Sequence, residues 1–296
     1  MSLERLNKCP LCKSGLFLNH KEIKDHSITQ ESFILCECAS CKLVFTNPRP
    51  SKKDINTYYQ SDAYISHQDK ITGFTDLLYK LVRTYTIYKK VQLLHYLKPS
   101  KGQLLDIGCG TGYLMQAAKK KSWQVEGMEP GKTARKLAKK KGLTVHKSMD
   151  DLENKSFDCI TLFHVLEHIH DLRKSSKAIL KLLKQDGYLI IGVPNRDSWD
   201  ARYYESNWAA WDVPRHLYHF NQGSFQRFLD EFKLELVEKK PMIFDSYYVS
   251  MLSEKIKGTS GIPALFNGMI NGFKSNQWAK KNGGNYSSIL FILKKK

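Results

Sequence analysis

The amino-acid sequence predicts an α/β fold in which helices cover both faces of a mostly parallel β-sheet, with a small cysteine-rich module before it. Apolar strands alternate with amphipathic helices over short connections in the centre of the chain, and this alternation is typical of a doubly wound sheet. A glycine-rich loop with Gly108, Gly110 and Gly112 follows the first of these strands. Two C-x-x-C pairs stand close to the N-terminus.

The length of 296 residues allows one substantial core and a small accessory module. No apolar run approaches the roughly 18 residues that a membrane-spanning helix needs. The N-terminus begins with polar and charged residues rather than the apolar segment of a secretory signal. We therefore expect a cytoplasmic protein without a transmembrane segment, and the sequence leaves the oligomeric state open.

The formal net charge of +18 is compatible with nucleic acid, a membrane surface or phosphorylated molecules as partners. The charge is concentrated in residues 101–150 and 251–296, and it comes mainly from lysine. Lysine-rich helical faces such as residues 119–121 and 139–141 are typically solvated. The charge alone therefore does not indicate a nucleic-acid-binding protein.

The first 41 residues contain the two C-x-x-C pairs, Cys9 with Cys12 and Cys38 with Cys41. Two such knuckles bring four thiolates into a tetrahedron, and their separation is close to that of a zinc ribbon. Cys36 is a spare cysteine that either replaces Cys38 as a ligand or stays reduced near the site. Because we expect a protein without a secretion signal, a disulfide framework fits poorly. We predict a structural zinc site with four cysteine ligands, since four protein ligands leave no open position for a substrate.

Short strands near residues 32–35 and 43–45 flank the second knuckle. The prolines of residues 47–50 cannot continue a sheet ladder, so residues 1–50 are predicted to form the zinc ribbon. Residues 51–100 are predicted to be a helical linker or cap, because apolar residues recur at helical spacing from 67 to 98. Periodicity alone leaves open whether this segment walls a ligand site or only packs on the core.

Residues 101–296 are predicted to form the main α/β domain. Strands are expected near residues 103–107, 123–129, 143–147, 157–163 and 187–193, with a sixth and a seventh near 234–244 and 287–293. Helices are expected near residues 111–121, 131–141, 171–184 and 222–232. An insertion near residues 245–286 is the least legible part. A mobile lid, a membrane-surface helix and an ordinary excursion all suit its composition, and we favour a cover on the substrate side.

The glycine loop reads D-x-G-x-G-x-G from Asp106 to Gly112. A dinucleotide fingerprint would place its third glycine at position 113, which is Tyr113. The loop instead resembles motif I of the class I S-adenosylmethionine (SAM) dependent methyltransferases. This resemblance implies a Rossmann-like class I methyltransferase fold with seven strands, and SAM as the cofactor. With the zinc ribbon included, it covers nearly the whole chain and is similar to ubiquinone-type and sugar methyltransferases.

The resemblance also implies a set of cofactor-binding residues. Glu129 ends the second strand, where a carboxylate offers two oxygens to the ribose diol. Asp150 or Asp151 follows the third strand beside the adenine, and we favour Asp150. His164 ends the fourth strand at the sulfonium end of the pocket. The predicted cofactor-binding residues are Asp106, Gly108, Cys109, Gly110, Gly112, Glu129, Asp150 and His164.

Two further motifs belong to the reactive side. Leu166-Glu167-His168 resembles the L-E-H motif of small-molecule methyltransferases, and His168 is a candidate general base or a capping or packing histidine. The segment from Trp208 to Phe220 resembles a W-x-x-W-D-x-P-R-H-L stretch of related bacterial enzymes. Trp211, Arg215 and His216 are candidate substrate-binding residues, with stacking and a charged fork available. A structural loop anchored by buried tryptophans explains the same pattern.

The leading hypothesis is a SAM-dependent methyltransferase that acts on a hydroxyl or carbon of a small anionic metabolite, such as a sugar-nucleotide or a quinone precursor. A second hypothesis is methylation of rRNA or tRNA, with the ribbon and the basic helices on the phosphate backbone. A third is a non-catalytic SAM-binding assembly factor. The intact Asp106, Glu129 and glycine loop argue against the third hypothesis.

Overall fold

A computed structural model describes residues 2–59 and 74–296. The N-terminal module consists of β1 (Leu3–Glu4), β2 (Phe17–Lys24), β3 (Ser32–Cys38), β4 (Val44–Thr46) and β5 (Arg49–Pro50). The two predicted strands thus lie at β3 and β4. The ladder of β4 ends before the prolines, as expected. Pro50 nevertheless lies in a short antiparallel pair with Leu3, so the expectation that these prolines stay outside any ladder was wrong.

The described residues place seven strands in the central sheet, in the order β12-β13-β10-β9-β6-β7-β8. These strands are β6 (Gln103–Ile107), β7 (Gln124–Met128), β8 (Thr144–His146), β9 (Phe157–Phe163), β10 (Leu183–Pro194), β12 (Leu234–Pro241) and β13 (Ser288–Lys295). The pairs from β10 through β8 are parallel, whereas β13 runs antiparallel to both of its neighbours. This arrangement confirms the predicted mostly parallel sheet of seven strands.

Helices connect and cover these strands. They are α1 (Phe74–Leu97), α2 (Tyr113–Lys119), α3 (Lys132–Lys140), α4 (Leu172–Leu182), α5 (Trp199–Tyr204), α6 (Gln222–Phe232), α7 (Ile243–Ile256) and α8 (Gly261–Lys281). The described part of the helical segment predicted at 67–98 is one helix, and residues 67–73 lie outside the described residues. Strand β10 begins at Leu183, inside the helix predicted at 171–184, because Leu183 pairs with Phe157 of β9.

The core lies on both faces of the central sheet, as the alternation of strands and helices requires. One cluster joins the sheet to α4, α6 and the cysteine knuckles, and it includes Phe225 and Phe291, whose rings stack at 3.7 Å between centroids. A second cluster packs α1 and α2 against the opposite face through residues such as Leu94 and Ile190. The carboxyl ends of the parallel strands are thereby held at one edge.

A two-residue strand, β11 (Tyr218–His219), joins the main domain to the N-terminal module. Tyr218 pairs with Phe45 and His219 pairs with Val44, so β11 forms the edge of a four-stranded sheet in the order β11-β4-β3-β2. The cysteine-rich module and the main domain therefore share a sheet. Sequence reasoning did not anticipate this strand.

The segment predicted as an insertion contains the two helices α7 and α8, which pack as a hairpin between β12 and β13. Among residues 2–59 and 74–296, none of the helices combines the length and apolar character needed to cross a bilayer.

Candidate active site

The glycine loop between β6 and α2 has the backbone that its sequence requires. Gly108, Gly110 and Gly112 all have positive φ angles, of 67°, 53° and 80°, which side chains with a Cβ rarely adopt. A Cβ on Gly108 would collide with Val165, and one on Gly112 would collide with Leu143. No described atom lies within 4 Å of the position that a Cβ on Gly110 would take. The loop thus packs tightly at both ends and leaves Gly110 open to a ligand.

Glu129 lies directly after β7 and faces this loop. Its Oε2 accepts a hydrogen bond from the backbone N–H of Gly110 at 2.9 Å, and its Oε1 accepts one from Gly131 at 2.7 Å. Two backbone donors hold the carboxylate in a fixed orientation at the carboxyl end of the strand. This is the place at which a parallel sheet presents groups to a ligand.

Asp106 is buried at the end of β6. Its Oδ1 accepts a 2.7 Å hydrogen bond from the hydroxyl of Thr161 on β9. Burial raises the pKa of Asp106 to about 6, although Thr161 and the nearby Lys90 ammonium lower it. Lys90 comes from α1, and its Nζ lies 3.6 Å from the ring centroid of Phe163. Thr161 and Lys90 were missed by sequence reasoning, and the only signal was that Thr161 interrupts an apolar strand.

Asp150 and Asp151 lie after β8 in a short 3-10 helix, Met149–Leu152. The Asp151 carboxylate accepts hydrogen bonds from the backbone N–H groups of Lys147 and Ser148, at 3.0 and 3.1 Å. It therefore caps its own helix. Asp150 and Asp151 are both exposed, so the choice of Asp150 as the ligand-facing carboxylate stays a prediction.

His164, at the end of β9, lies between two carboxylates. Its Nε2 is 2.8 Å from Asp245 Oδ2 of α7, and its Nδ1 is 3.4 Å from Glu167 Oε1. Burial alone lowers the pKa of His164, but the two carboxylates outweigh it and raise the pKa to about 10. His164 is therefore cationic near neutral pH. Asp245 lies in the segment that was least legible in the sequence.

His168 and His216 lie next to each other with their ring centroids 4.6 Å apart. His168 Nδ1 donates to the Arg215 carbonyl at 3.0 Å, and His216 Nδ1 donates to the Ala210 carbonyl at 2.8 Å. Both rings consequently present Nε2 as an acceptor. Burial and the neighbouring His216 lower the pKa of His168 to about 4, so His168 is neutral near pH 7. Tyr59, whose hydroxyl is 3.0 Å from His168 Nδ1, is another residue that the sequence did not reveal.

Glu167 completes this group of acceptors. Ligating atoms of Glu167, His168 and His216 all lie within 4.8 Å of one another, and Glu167 is fully buried. Two imidazole nitrogens and a carboxylate oxygen are ligands that can coordinate a divalent cation. Glu167 and His168 follow β9, at the same edge of the sheet as the glycine loop, and His216 comes from the segment before β11.

The segment around the two tryptophans is an interface inside the molecule. Trp208 and Trp211 are 2% and 4% exposed. The Trp208 indole donates to Asp200 at 2.7 Å, and the Trp211 indole donates to the Glu205 carbonyl at 2.6 Å. Their rings meet edge to face with centroids 5.2 Å apart. The indoles thus anchor the loop that carries β11.

Arg215 is 2% exposed and lies in a buried ion-pair network. Its Nη2 donates to Asp25 Oδ1 at 2.9 Å and to Asp212 Oδ1 at 2.7 Å, and its Nη1 donates to the Tyr58 carbonyl. Asp25 belongs to the N-terminal module. The structure therefore places Arg215 and Trp211, both predicted to bind substrate, in the contact between the module and the main domain. Of the three predicted residues, His216 lies beside His168.

The four predicted zinc ligands come together. Cys9 Sγ and Cys41 Sγ are 3.5 Å apart, as are Cys12 Sγ and Cys38 Sγ, and all four lie within 4.8 Å of one another. Sulfurs around a tetrahedral zinc at about 2.3 Å would be about 3.8 Å apart, so the cluster fits a zinc ion. Cys36 stands apart and contacts Asn19 and Asn47. Cys38, rather than Cys36, belongs to the cluster.

The chain resembles known proteins in sequence and in fold. It is 28% identical over 179 residues to the ubiquinone biosynthesis O-methyltransferase of Idiomarina loihiensis, covering 55% of this chain and 74% of that protein. The enzyme of the same name from Actinobacillus pleuropneumoniae is 34% identical over 108 residues, covering 32% of this chain and 46% of that protein. The match to this second relative thus spans less than half of its length.

Among solved structures, the magnesium protoporphyrin IX methyltransferase of Synechocystis PCC 6803 superposes with a TM-score of 0.55 at 13% identity, over 83% of this chain and 100% of that one. This likeness confirms the class I methyltransferase fold. The sequence profile of the family described as "Methyltransferase domain" matches residues 82–239, which is more than half of the chain. The match contains the glycine loop, Glu129, His164 and the L-E-H motif, and the chain belongs to this methyltransferase family.

Proposed function

We propose that this chain is a SAM-dependent O-methyltransferase whose acceptor is a hydroxyl group of a quinone precursor. The observation that carries the proposal is the convergence of the glycine loop, Glu129 and the His168 pair at the carboxyl edge of the parallel strands. Relatives named as ubiquinone biosynthesis O-methyltransferases support the choice of acceptor. They favour a small aromatic molecule over a sugar-nucleotide or an RNA.

The residues present suit the cofactor. Glu129 has two oxygens for a ribose diol, Asp150 would contact the adenine, and the open backbone at Gly110 permits close approach. Asp106 and the loop would hold the amino-acid end. When bound, SAM supplies a methyl group that is activated by its sulfonium. Cys109 within the loop and His164 after β9 would contact the same ligand.

We assign His168 the role of general base. Its Nδ1–H is held by the Arg215 carbonyl, so the Nε2 lone pair is free to take the proton of an acceptor hydroxyl. Because its pKa is about 4, the ring is in the basic form throughout the neutral range. Orientation of the acceptor beside this nitrogen would supply much of the rate.

The test is a methyl-transfer assay with SAM and a panel of acceptors: a dihydroxylated quinone precursor, nucleotide sugars and bulk RNA. We expect S-adenosylhomocysteine and an O-methylated aromatic product by mass spectrometry. His168→Ala should lower kcat about 10²-fold while the SAM dissociation constant and Tm stay near wild type. Turnover only with nucleotide sugars or RNA would refute the acceptor. Tight SAM binding without turnover of any acceptor would point to the assembly factor.

A further inference from the structure

The hairpin of α7 and α8 buries small and polar side chains and exposes large apolar ones. The buried residues of α8 are small or polar, namely Ala264, Gly268, Asn271, Gly272, Ser275, Asn276 and Ala279. The buried residues of α7 are Ser246, Ser250, Ser253 and Glu254. A surface helix of a globular protein normally buries its apolar stripe. In this hairpin, the large apolar side chains therefore lie outside the buried faces of the helices.

Close backbone approach and side-chain hydrogen bonds hold the inner faces together. A Cβ on Gly268 would lie 2.7 Å from the Met251 Cα, so the two helices are nearly in backbone contact at this point. Ser246 Oγ donates to the Gly272 carbonyl at 3.1 Å. Glu254 Oε1 accepts a 3.3 Å hydrogen bond from Asn271 of α8 and a 2.9 Å hydrogen bond from the Tyr204 hydroxyl of α5. Packing of this kind, with small residues and polar side chains inside, is typical of helices that face an apolar medium.

The outer face of α8 carries the large apolar side chains. We call the exposed residues Ile262, Phe266, Met269, Ile270 and Phe273 the hairpin face; they are 81%, 64%, 42%, 37% and 54% exposed. Their spacing places them on one side of the helix over three turns, about 16 Å at 1.5 Å per residue. Single exposed apolar residues are ordinary, but a contiguous stripe indicates a binding surface.

The charges around this face have one sign. Every lysine of residues 243–281 is exposed: Lys255, Lys257, Lys274, Lys280 and Lys281. The acidic residues of the same segment turn inward, where Asp245 pairs with His164 and Glu254 joins the Tyr204 network. The hairpin therefore presents apolar side chains with a purely basic flank, which complements a negatively charged lipid surface.

We propose that the hairpin face binds to the surface of an anionic membrane, with the helix lying in the interface and its lysines on the lipid headgroups. A second copy of the chain fits less well, because symmetric pairing of the face would bring two sets of lysines together. The proposal is independent of the proposed function. The two are nevertheless compatible, since Asp245 at the start of the hairpin contacts His164, at the end of β9, at 2.8 Å.

The test is sedimentation of the full chain with vesicles of phosphatidylcholine alone or mixed in equal parts with phosphatidylglycerol. The variant Phe266→Glu/Phe273→Glu changes side chains that are already exposed, so its circular dichroism and Tm should match wild type. The matched control is Leu16→Glu/Leu18→Glu, at residues of the N-terminal module that are 72% and 76% exposed. We expect wild type and control to bind the mixed vesicles, and the hairpin variant to bind at least about tenfold more weakly.

Two further measurements complete the test. Lys274→Glu/Lys281→Glu should weaken binding to the anionic vesicles, because it replaces two attractive charges with repulsive ones. Added salt should also weaken this binding, because it screens the attraction between the lysines and the headgroups. Light scattering reports the mass of each variant without vesicles. Absence of vesicle binding, or binding that the hairpin variant retains, overturns the proposal. It is also overturned if wild type is a dimer that Phe266→Glu/Phe273→Glu converts to monomers without any vesicle binding.

Discussion

Arg215 and Glu129 are both charged residues that the sequence singled out as ligand contacts, and the structure treats them differently. Arg215 meets the carboxylates of Asp25 and Asp212, which neutralise it inside the molecule. The Glu129 carboxylate accepts hydrogen bonds from the backbone N–H groups of Gly110 and Gly131, and the Arg135 guanidinium donates to the Glu129 carbonyl rather than to the carboxylate. Its charge is oriented by these donors, and the described residues give it no cationic side-chain partner.

We propose that this difference separates a binding charge from a structural one. A buried charge that is paired with opposite charges holds segments together, because breaking the pair leaves an ion without solvent. A charge fixed by neutral dipoles at the open end of a sheet remains available to a ligand. On this basis the Arg215 region should respond to mutation in stability, and the Glu129 region in affinity.

The largest effect on the Arg215 region should come from the four-cysteine cluster of the adjoining N-terminal module. Cys9→Ser/Cys12→Ser removes half of the zinc ligands, so we expect loss of one zinc ion per chain by atomic absorption. Because β11 of the main domain pairs with β4 of the module, loss of zinc should also destabilise the main domain. We expect no cooperative unfolding transition at the wild-type Tm. Cys36→Ser is the control and should retain zinc. An unchanged Tm in the double variant would show that the module and main domain are independent.

Arg215→Ala tests the ion pair itself. It leaves the buried Asp25 carboxylate unpaired, and we expect the free energy of unfolding in urea to fall by about 3–5 kcal/mol. Hydrogen bonds and Arg215 hold the pKa of Asp25 below its usual value against the effect of burial. The stabilisation is thus present above the unfolded-state pKa and is lost as pH falls through the folded pKa. A variant that keeps wild-type stability and loses only acceptor turnover would return Arg215 to the substrate site.

Glu129→Ala should have the opposite profile. It removes the carboxylate that we assign to the ribose diol, and we expect the SAM dissociation constant to rise about 10- to 100-fold in calorimetry. Tm without ligand should change little, because the bonds lost are to loop N–H groups, one half-buried and one exposed. Glu129→Gln is the matched control, since it keeps the shape and one acceptor oxygen. Equal SAM affinity in all three proteins would remove Glu129 from the cofactor site.

The two regions also differ in how far the sequence predicted them. The glycine loop and β6, β7 and β9 depend on local signals, since a buried parallel strand reads as an apolar run and a positive φ favours glycine. The partner of Arg215 lies 190 positions away in the chain, and β11 is two residues long, so neither has a local signature. The hairpin was illegible because it buries serine, asparagine and glycine, which reverses the pattern used to recognise helices.

The pH dependence of SAM binding tests the role of Asp106 in the proposed cofactor site. The pKa of Asp106 is about 6, so the carboxyl is charged at pH 7 and becomes neutral as pH falls below 6. Its attraction for a cationic ligand is then lost. We expect KM for SAM to rise about tenfold between pH 7 and pH 5, while kcat at saturation stays flat because His168 titrates near 4. Asp106→Asn should have a high KM without this pH dependence.

The smallest effect separates two adjacent carboxylates by the same criterion. Asp151 accepts the N–H groups of Lys147 and Ser148, so Asp151→Ala should lower Tm slightly and leave SAM affinity unchanged. We assign Asp150 to the adenine, so Asp150→Ala should weaken SAM binding several-fold and leave Tm unchanged. Calorimetry and thermal unfolding on both variants give the answer. If Asp151→Ala instead loses SAM affinity, a carboxylate fixed by backbone dipoles also serves the ligand here, as we propose for Glu129, and Asp150 is the bystander.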